Sequence, residues 1–103
     1  MNLDRFTEKA QEAVFQAQEL TREYNHQSIE PLHLLAVLLQ QEDGIVPSLV
    51  TKVAGGTQAL YNEIKAELDK HPKVYGSNVQ VGLSRPVSDV LSAAERYAKG
   101  MQD

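Results

Sequence analysis

The apolar positions of the first segment, Phe6, Ala10, Ala13, Ala17, Leu20 and Tyr24, recur at alternating steps of four and three. That spacing lines one face of an α-helix. Lys9, Gln11, Glu12, Gln16, Glu19 and Glu23 occupy the other side. Thr7 suits the N-cap, where its hydroxyl accepts from an orphan amide one turn on, and Glu8 suits the positive helix end. A helix is expected over 7–24.

The second segment has almost no polar side. Pro31 fits the first helical position, where its missing amide costs nothing. Leu32, Leu34, Leu35, Ala36, Val37, Leu38 and Leu39 follow. A helix apolar all round is buried all round, so this rod is read as the central stave of a bundle. A buried strand is the competing reading, and the Leu-rich composition after a Pro favours helix.

Gly44 punctuates. Ile45, Val46, Leu49, Val50 and Val53 then form a short helical stripe, and Pro47 must lie in its first turn. Gly55-Gly56 ends it by permitting the left-handed conformation. Thr57 is the next possible cap, and Ala59 or Leu60, Ile64 and Leu68 define a fourth helix, which His71-Pro72 stops. Residues 72–83 hold Gly76, Asn78 and Gly82 without helical period, and read as a loop with a short extended stretch at 79–81. A last amphipathic helix begins after Ser84, with Pro86 in its first turn and Val87, Val90, Leu91, Ala94, Tyr97, Ala98 and Met101 as its apolar face.

Laying Ser84 over Thr7 aligns the last helix with the first. Phe6 then meets Leu83, Ala10 meets Val87, Ala13 meets Val90, Val14 meets Leu91 and Ala17 meets Ala94. The expected organisation is a four-helix repeat over 1–71, an inter-repeat loop over 72–83, and the first helix of an incomplete second repeat over 84–103. A repeat unit does not bury its face alone, so the last helix should keep an undersatisfied apolar side.

Composition narrows the class. The 103 residues carry 14 acids against 10 bases, a net charge of −4, with no Cys and no Trp. Absence of Cys removes thiolate chemistry and disulfides. The mild acidity and scattered Lys and Arg argue against nucleic acid, whose phosphates call for a basic stripe. The longest strongly apolar run, 34–39, is far short of the roughly 20 residues that span a bilayer. The first ten residues lack the apolar core of a signal peptide. No membrane role and a cytoplasmic location are expected.

The run IEPLHLLAVLLQQEDG from Ile29, MNLDRFTEKAQEAV at the start and HPKVYGS in the loop resemble the N-terminal domain of the ClpB-type protein disaggregases. The resemblance spans the chain. It implies an all-α bundle of two pseudo-repeated four-helix units, here truncated after the first helix of the second. It implies a non-catalytic domain that engages unfolded or aggregated polypeptides for threading and refolding under heat stress. The parent would be a hexameric AAA+ ATPase that works with a DnaK-type chaperone system. ATP and magnesium would bind its AAA+ modules, and this chain would need no cofactor. The isolated domain is expected to be a monomer or a weak dimer. The resemblance implies a role in chaperone action for Thr7 and for an acid after the last helix, which Asp103 fits. Tyr97 and Met101 line the expected groove or else are ordinary core positions at helical spacing, and Val90 is grouped with them as a candidate substrate contact. Adaptor docking in a protease-feeding Clp ATPase is the alternative. In the ClpC type the turn before the second helix has an acid that helps bind phosphorylated arginine. Leu32 stands there in this sequence, so that site should be absent.

Other chemistry has little foothold. His26 and His33 lie seven apart, across a loop and a helix start, with no Cys and no close His partner, whereas a zinc site needs about four converging ligands, so no metal is expected. His33 reads as a hydrogen-bonded structural residue that ties down the incoming loop. A phosphotransfer role would need it exposed beside a base, and Leu34, Leu35, Ala36 and Val37 follow it instead. Glu63 and Glu67 share a solvated face with Lys65 and Lys70. Gly55-Gly56 lacks the Gly-Lys-Ser/Thr of a phosphate loop, so no ATP hydrolysis is expected from this chain and no residue is assigned as catalytic.

Overall fold

The computed structural model describes residues 7–42, 44–76 and 80–101, the last five by backbone alone. Five helices and one two-residue strand pair follow in the order α1 (Glu8–Glu23), β1 (Ser28–Ile29), α2 (Pro31–Leu39), α3 (Ile45–Ala54), α4 (Gln58–Asp69), β2 (Gly82–Leu83) and α5 (Arg85–Met101). The architecture is all-α, as the apolar periods predict.

Helix α1 starts where the cap chemistry puts it. Thr7 Oγ1 accepts from the Ala10 amide at 3.1 Å. Its stripe is the buried one: Ala13 and Ala17 are inside, with Leu20 packed against them. The helix ends in a tight reversal. The Asn25 amide donates to the Arg22 carbonyl and the His26 amide to the Thr21 carbonyl. Asn25 takes the left-handed conformation with φ 59. This is the paired bonding of a Schellman stop, and Asn is one of the few side chains that tolerates it. The reversal drives His26 into the bundle instead of out to water.

Helix α2 is central. Its His33, Ala36, Val37 and Leu39 are buried. Leu32, Leu34, Leu35 and Leu38 are half-buried, each packed on one of two apolar clusters. One cluster joins Ala13, Ala17, Ile29, Val37 and Val87, and so fastens α5 to α1 and α2. The other joins Ala36, Leu39, Ile64 and Leu68, and so fastens α4 to α2.

Helix α3 departs from the expected stripe. Val46 and Val50 pack on the second cluster. Ile45, Leu49 and Val53 are exposed, and no residue of the helix is fully buried. Five apolar positions in ten residues cover too wide an arc for a helix that meets the bundle on one side. Gly55 ends α3 with φ 82, and its amide donates to the Thr51 carbonyl. Thr57 occupies the cap position of α4 but makes no side-chain capping bond.

The loop after α4 is sewn to the segment after α1. The Val74 amide donates to the Asn25 carbonyl at 2.6 Å, and Lys73 Nζ donates to the Tyr24 carbonyl at 3.0 Å. Strands β1 and β2 pair in parallel, Ser28 with Gly82 and Ile29 with Leu83. The extended stretch therefore lies later than the expected 79–81, of which residue 79 is outside the described residues. Its position is set by the partner strand, which local pattern did not announce. Ser84 Oγ then accepts from the Val87 amide at 3.4 Å, opening α5 with the same residue spacing that Thr7 uses for α1.

Candidate functional site

The residues assigned to substrate contact fall into two groups. Thr7 is exposed, with its hydroxyl engaged at the first turn of α1. Val90 is 59% exposed on α5, one turn beyond Val87, which is 1% exposed. Tyr97 and Met101 belong to α5 by backbone, but their side chains lie outside the described residues, as does Asp103 altogether. Alignment of the two caps pairs Val90 with Ala13. Ala13 is 3% exposed, so the two helices differ in how completely this position is covered.

A groove unannounced by the repeat runs between α1, α2 and α4. Leu20, Ala36 and Val37 form its apolar lining together with the aromatic side chains of Phe15 and Tyr61, and Gln16, Glu19, Glu23 and Gln40 complete it. Its volume is about 370 Å³. Phe15 is 60% exposed. Neither Thr7 nor Val90 lines this groove. Phe15 sits off the apolar stripe of α1, but a single exposed apolar side chain is ordinary on a protein surface, so local pattern did not mark this groove.

Among the described residues, the histidines form a largely buried polar cluster that sequence spacing concealed. His26 Nδ1 lies 2.8 Å from His33 Nε2. The rings of His26 and His71 meet edge to face at 5.5 Å, and Tyr24 stacks on His26 at 5.4 Å. The expectation that His26 has no close histidine partner is thus corrected, because the Asn25 reversal folds the chain back on itself. The backbone fixes the proton positions. The Glu30 amide donates to His33 Nδ1 at 2.8 Å, so the proton of His33 sits on Nε2 and is donated to His26 Nδ1. The remaining proton of His26 is on Nε2. That buried atom has no partner at hydrogen-bond geometry, although the Leu68 carbonyl is near enough to favour a proton there.

Burial pushes His33 down to about 4, and His26 and His71 act in the same direction. Burial also lowers His26, helped by His71 and Lys73 and opposed by the Leu68 carbonyl and Asp69. Tyr24 is raised, chiefly by burial and then by Asp69. His33 is neutral near pH 7. The cluster serves structure: His33 caps α2 and holds the chain entering it, as the sequence suggested. No group of three or more His, Cys, Asp or Glu among the described residues is arranged to hold a metal ion. Glu67 is exposed and paired with Lys70 at 3.0 Å, which fits a solvated face.

The family model described as the Clp repeat (R) N-terminal domain matches residues 5–103. The chain belongs to the Clp repeat N-terminal domain family. Several relatives carry the name chaperone protein ClpB. The one from Clostridium tetani is 37% identical over 106 residues, covering 100% of this chain and 12% of the relative. The one from Meiothermus ruber is 37% identical over 103 residues, with the same coverage. The one from Rickettsia felis is 36% identical over 104 residues, again covering 100% of this chain and 12% of the relative. This Clp repeat domain therefore spans about an eighth of the length of the relatives it matches. No helix among its described residues is long and apolar enough to cross a membrane.

Proposed function

We propose that this chain engages unfolded or aggregated polypeptide as the N-terminal module of a ClpB-type disaggregase, in the cytoplasm, under heat stress. The module binds, and the chemistry of ATP and magnesium belongs to AAA+ modules elsewhere in a hexameric parent that works with a DnaK-type system. The proposed contact residues remain Thr7, Val90, Tyr97, Met101 and Asp103. The proposed organisation remains a four-helix unit over 1–71, a connecting loop over 72–83 and the start of a second unit over 84–103.

The observation that carries this reading is Val90. Its register mate Ala13 is buried, yet Val90 stands 59% exposed beside a fully buried Val87. An exposed aliphatic side chain on an otherwise anchored helix can accept the scattered large apolar residues of an unfolded chain. Full burial of one such side chain contributes about 1.5–3 kcal/mol, which gives weak contacts of low sequence selectivity. Several copies on one ring would raise the effective concentration and make such contacts sufficient.

The test is a titration of the isotope-labelled chain with an unfolded polypeptide such as β-casein, followed by amide shifts. The reading expects shifts at Thr7, Val90, Tyr97, Met101 and Asp103. No shift anywhere at saturating casein would overturn polypeptide engagement, and shifts confined to other residues would overturn the site.

A further inference from the structure

We propose that the groove between α1, α2 and α4 docks a basic polypeptide segment, seating one large apolar side chain between Phe15 and Tyr61 and placing a Lys or Arg about one helical turn away against Glu19 and Glu23. This rests on the reading that the chain engages polypeptide, and names a second surface and the kind of segment it takes. The groove carries a charged wall.

Its shape and lining argue for a side chain as occupant. The apolar residues Leu20, Ala36 and Val37 lie between two aromatic rings, in a volume suited to a large side chain or a pair of them. Phe15 is already exposed, so covering it removes apolar surface from water without rearranging the core. The mode is an apolar anchor seated in a groove formed by helices.

Charge selects the occupant. Among the described residues, Glu19 and Glu23 are the only charged ones lining the groove, one turn apart on α1. Arg22 bonds Glu19 Oε1 at 2.9 Å, but both side chains are more than half exposed. Such a pair is weakly held and yields to a competing cation. Lys65 lies over the Tyr61 ring at 5.5 Å, so the α4 rim is cationic while the α1 wall is acidic. A segment with its anchor between the rings and its base toward α1 satisfies both. An acidic flank would meet Glu19 and Glu23 on one side. The net charge of −4 also favours approach of a basic segment.

Three short peptides with the same Leu-rich anchor test the proposal, flanked by Arg, Gln or Glu, each titrated into the isotope-labelled chain. The Arg-flanked peptide should shift the amides of Phe15, Gln16, Glu19, Glu23, Gln40 and Tyr61, and bind about fivefold tighter than the Gln-flanked one at low salt. Glu19→Gln with Glu23→Gln should erase that advantage and leave the Gln-flanked peptide unchanged. Phe15→Ala should weaken both by about tenfold or more while the fold persists, because this ring lies largely outside the core. Equal binding of the Arg- and Glu-flanked peptides would overturn the proposal. So would shifts confined to Val90 and its neighbours, an outcome that leaves polypeptide engagement standing. Silence toward every peptide and toward β-casein would remove both.

Discussion

Lowering the pH from about 7.5 to about 5 should make this chain markedly easier to unfold, with His33 as the main cause. The side chain is fully buried, accepts from the Glu30 amide and donates to His26. Its folded pKa is about 4, against an ordinary value of 6.5. The unfolded chain therefore takes up this proton first as pH falls. Stability from this group is complete above about pH 6.5, declines between there and about pH 4, and is level below. The gap of about 2.5 pKa units corresponds to about 3 kcal/mol in full, and about 2 kcal/mol of it is gone by pH 5. His26, lowered by the same burial, adds in the same direction. For a small domain with a total of about 5–15 kcal/mol this is a large fraction.

Urea unfolding followed by helical circular dichroism measures it, and a loss of that size moves the midpoint down by about 1 M. His33→Gln is the decisive comparison. A Gln at this place in a helix can still reach back to the cap-residue amide, but does not titrate. The variant should be weaker than the parent near pH 7.5 and show a much shallower decline toward pH 5, with the remaining slope from His26. An unmoved parent midpoint across this range would refute the reasoning. Equal declines in parent and variant would refute the assignment to His33.

Other outcomes follow from single contacts. Leu68→Ala should cost about 2–5 kcal/mol in urea unfolding, since Leu68 is fully buried where α4 meets α2. Thr7→Ala should lower stability by about 1 kcal/mol and Thr7→Ser by much less, because only the hydroxyl bond to the Ala10 amide is at stake. Asn25→Gly should be tolerated and Asn25→Ala should cost about 1 kcal/mol, because φ is 59 there. Val53→Ser should change the thermal midpoint very little, since Val53 is 88% exposed.

The helices were legible because each rests on local chemistry. Pro31 and the unbroken Leu/Val run mark α2, Gly55 marks the end of α3, and Thr7 and Ser84 mark the starts of α1 and α5. The assemblies were not, because they depend on where one element lands on another. Nothing local links His71 to His26 until the Asn25 reversal and the bonds from Lys73 and Val74 bring α4's exit beside α1's exit. The two-residue pairing of β1 with β2 likewise has no alternation long enough to read. In α3, pattern alone did not decide whether Val46 and Val50 or Ile45, Leu49 and Val53 face inward. Packing against α2 and α4 chose the former. For the groove, the apolar periods did not single out Phe15, and Tyr61, Ala36 and Val37 join it only once three helices converge.

The small parallel ladder has a mechanical corollary. The ties between α5 and the rest include the rungs at Ser28–Gly82 and Ile29–Leu83, the Gly82 amide bonded to the Gln27 carbonyl, the Ser84 amide bonded to the Ile29 carbonyl, and the packing of Val87 and Leu91. A tug on the C-terminal end would load these ties first. The α2–α4 cluster of Ala36, Leu39, Ile64 and Leu68 contains no α5 residue and would stay intact. The chain is thus built with a tear line, and whatever pulls from beyond α5 would lift that helix away before it unravels the rest.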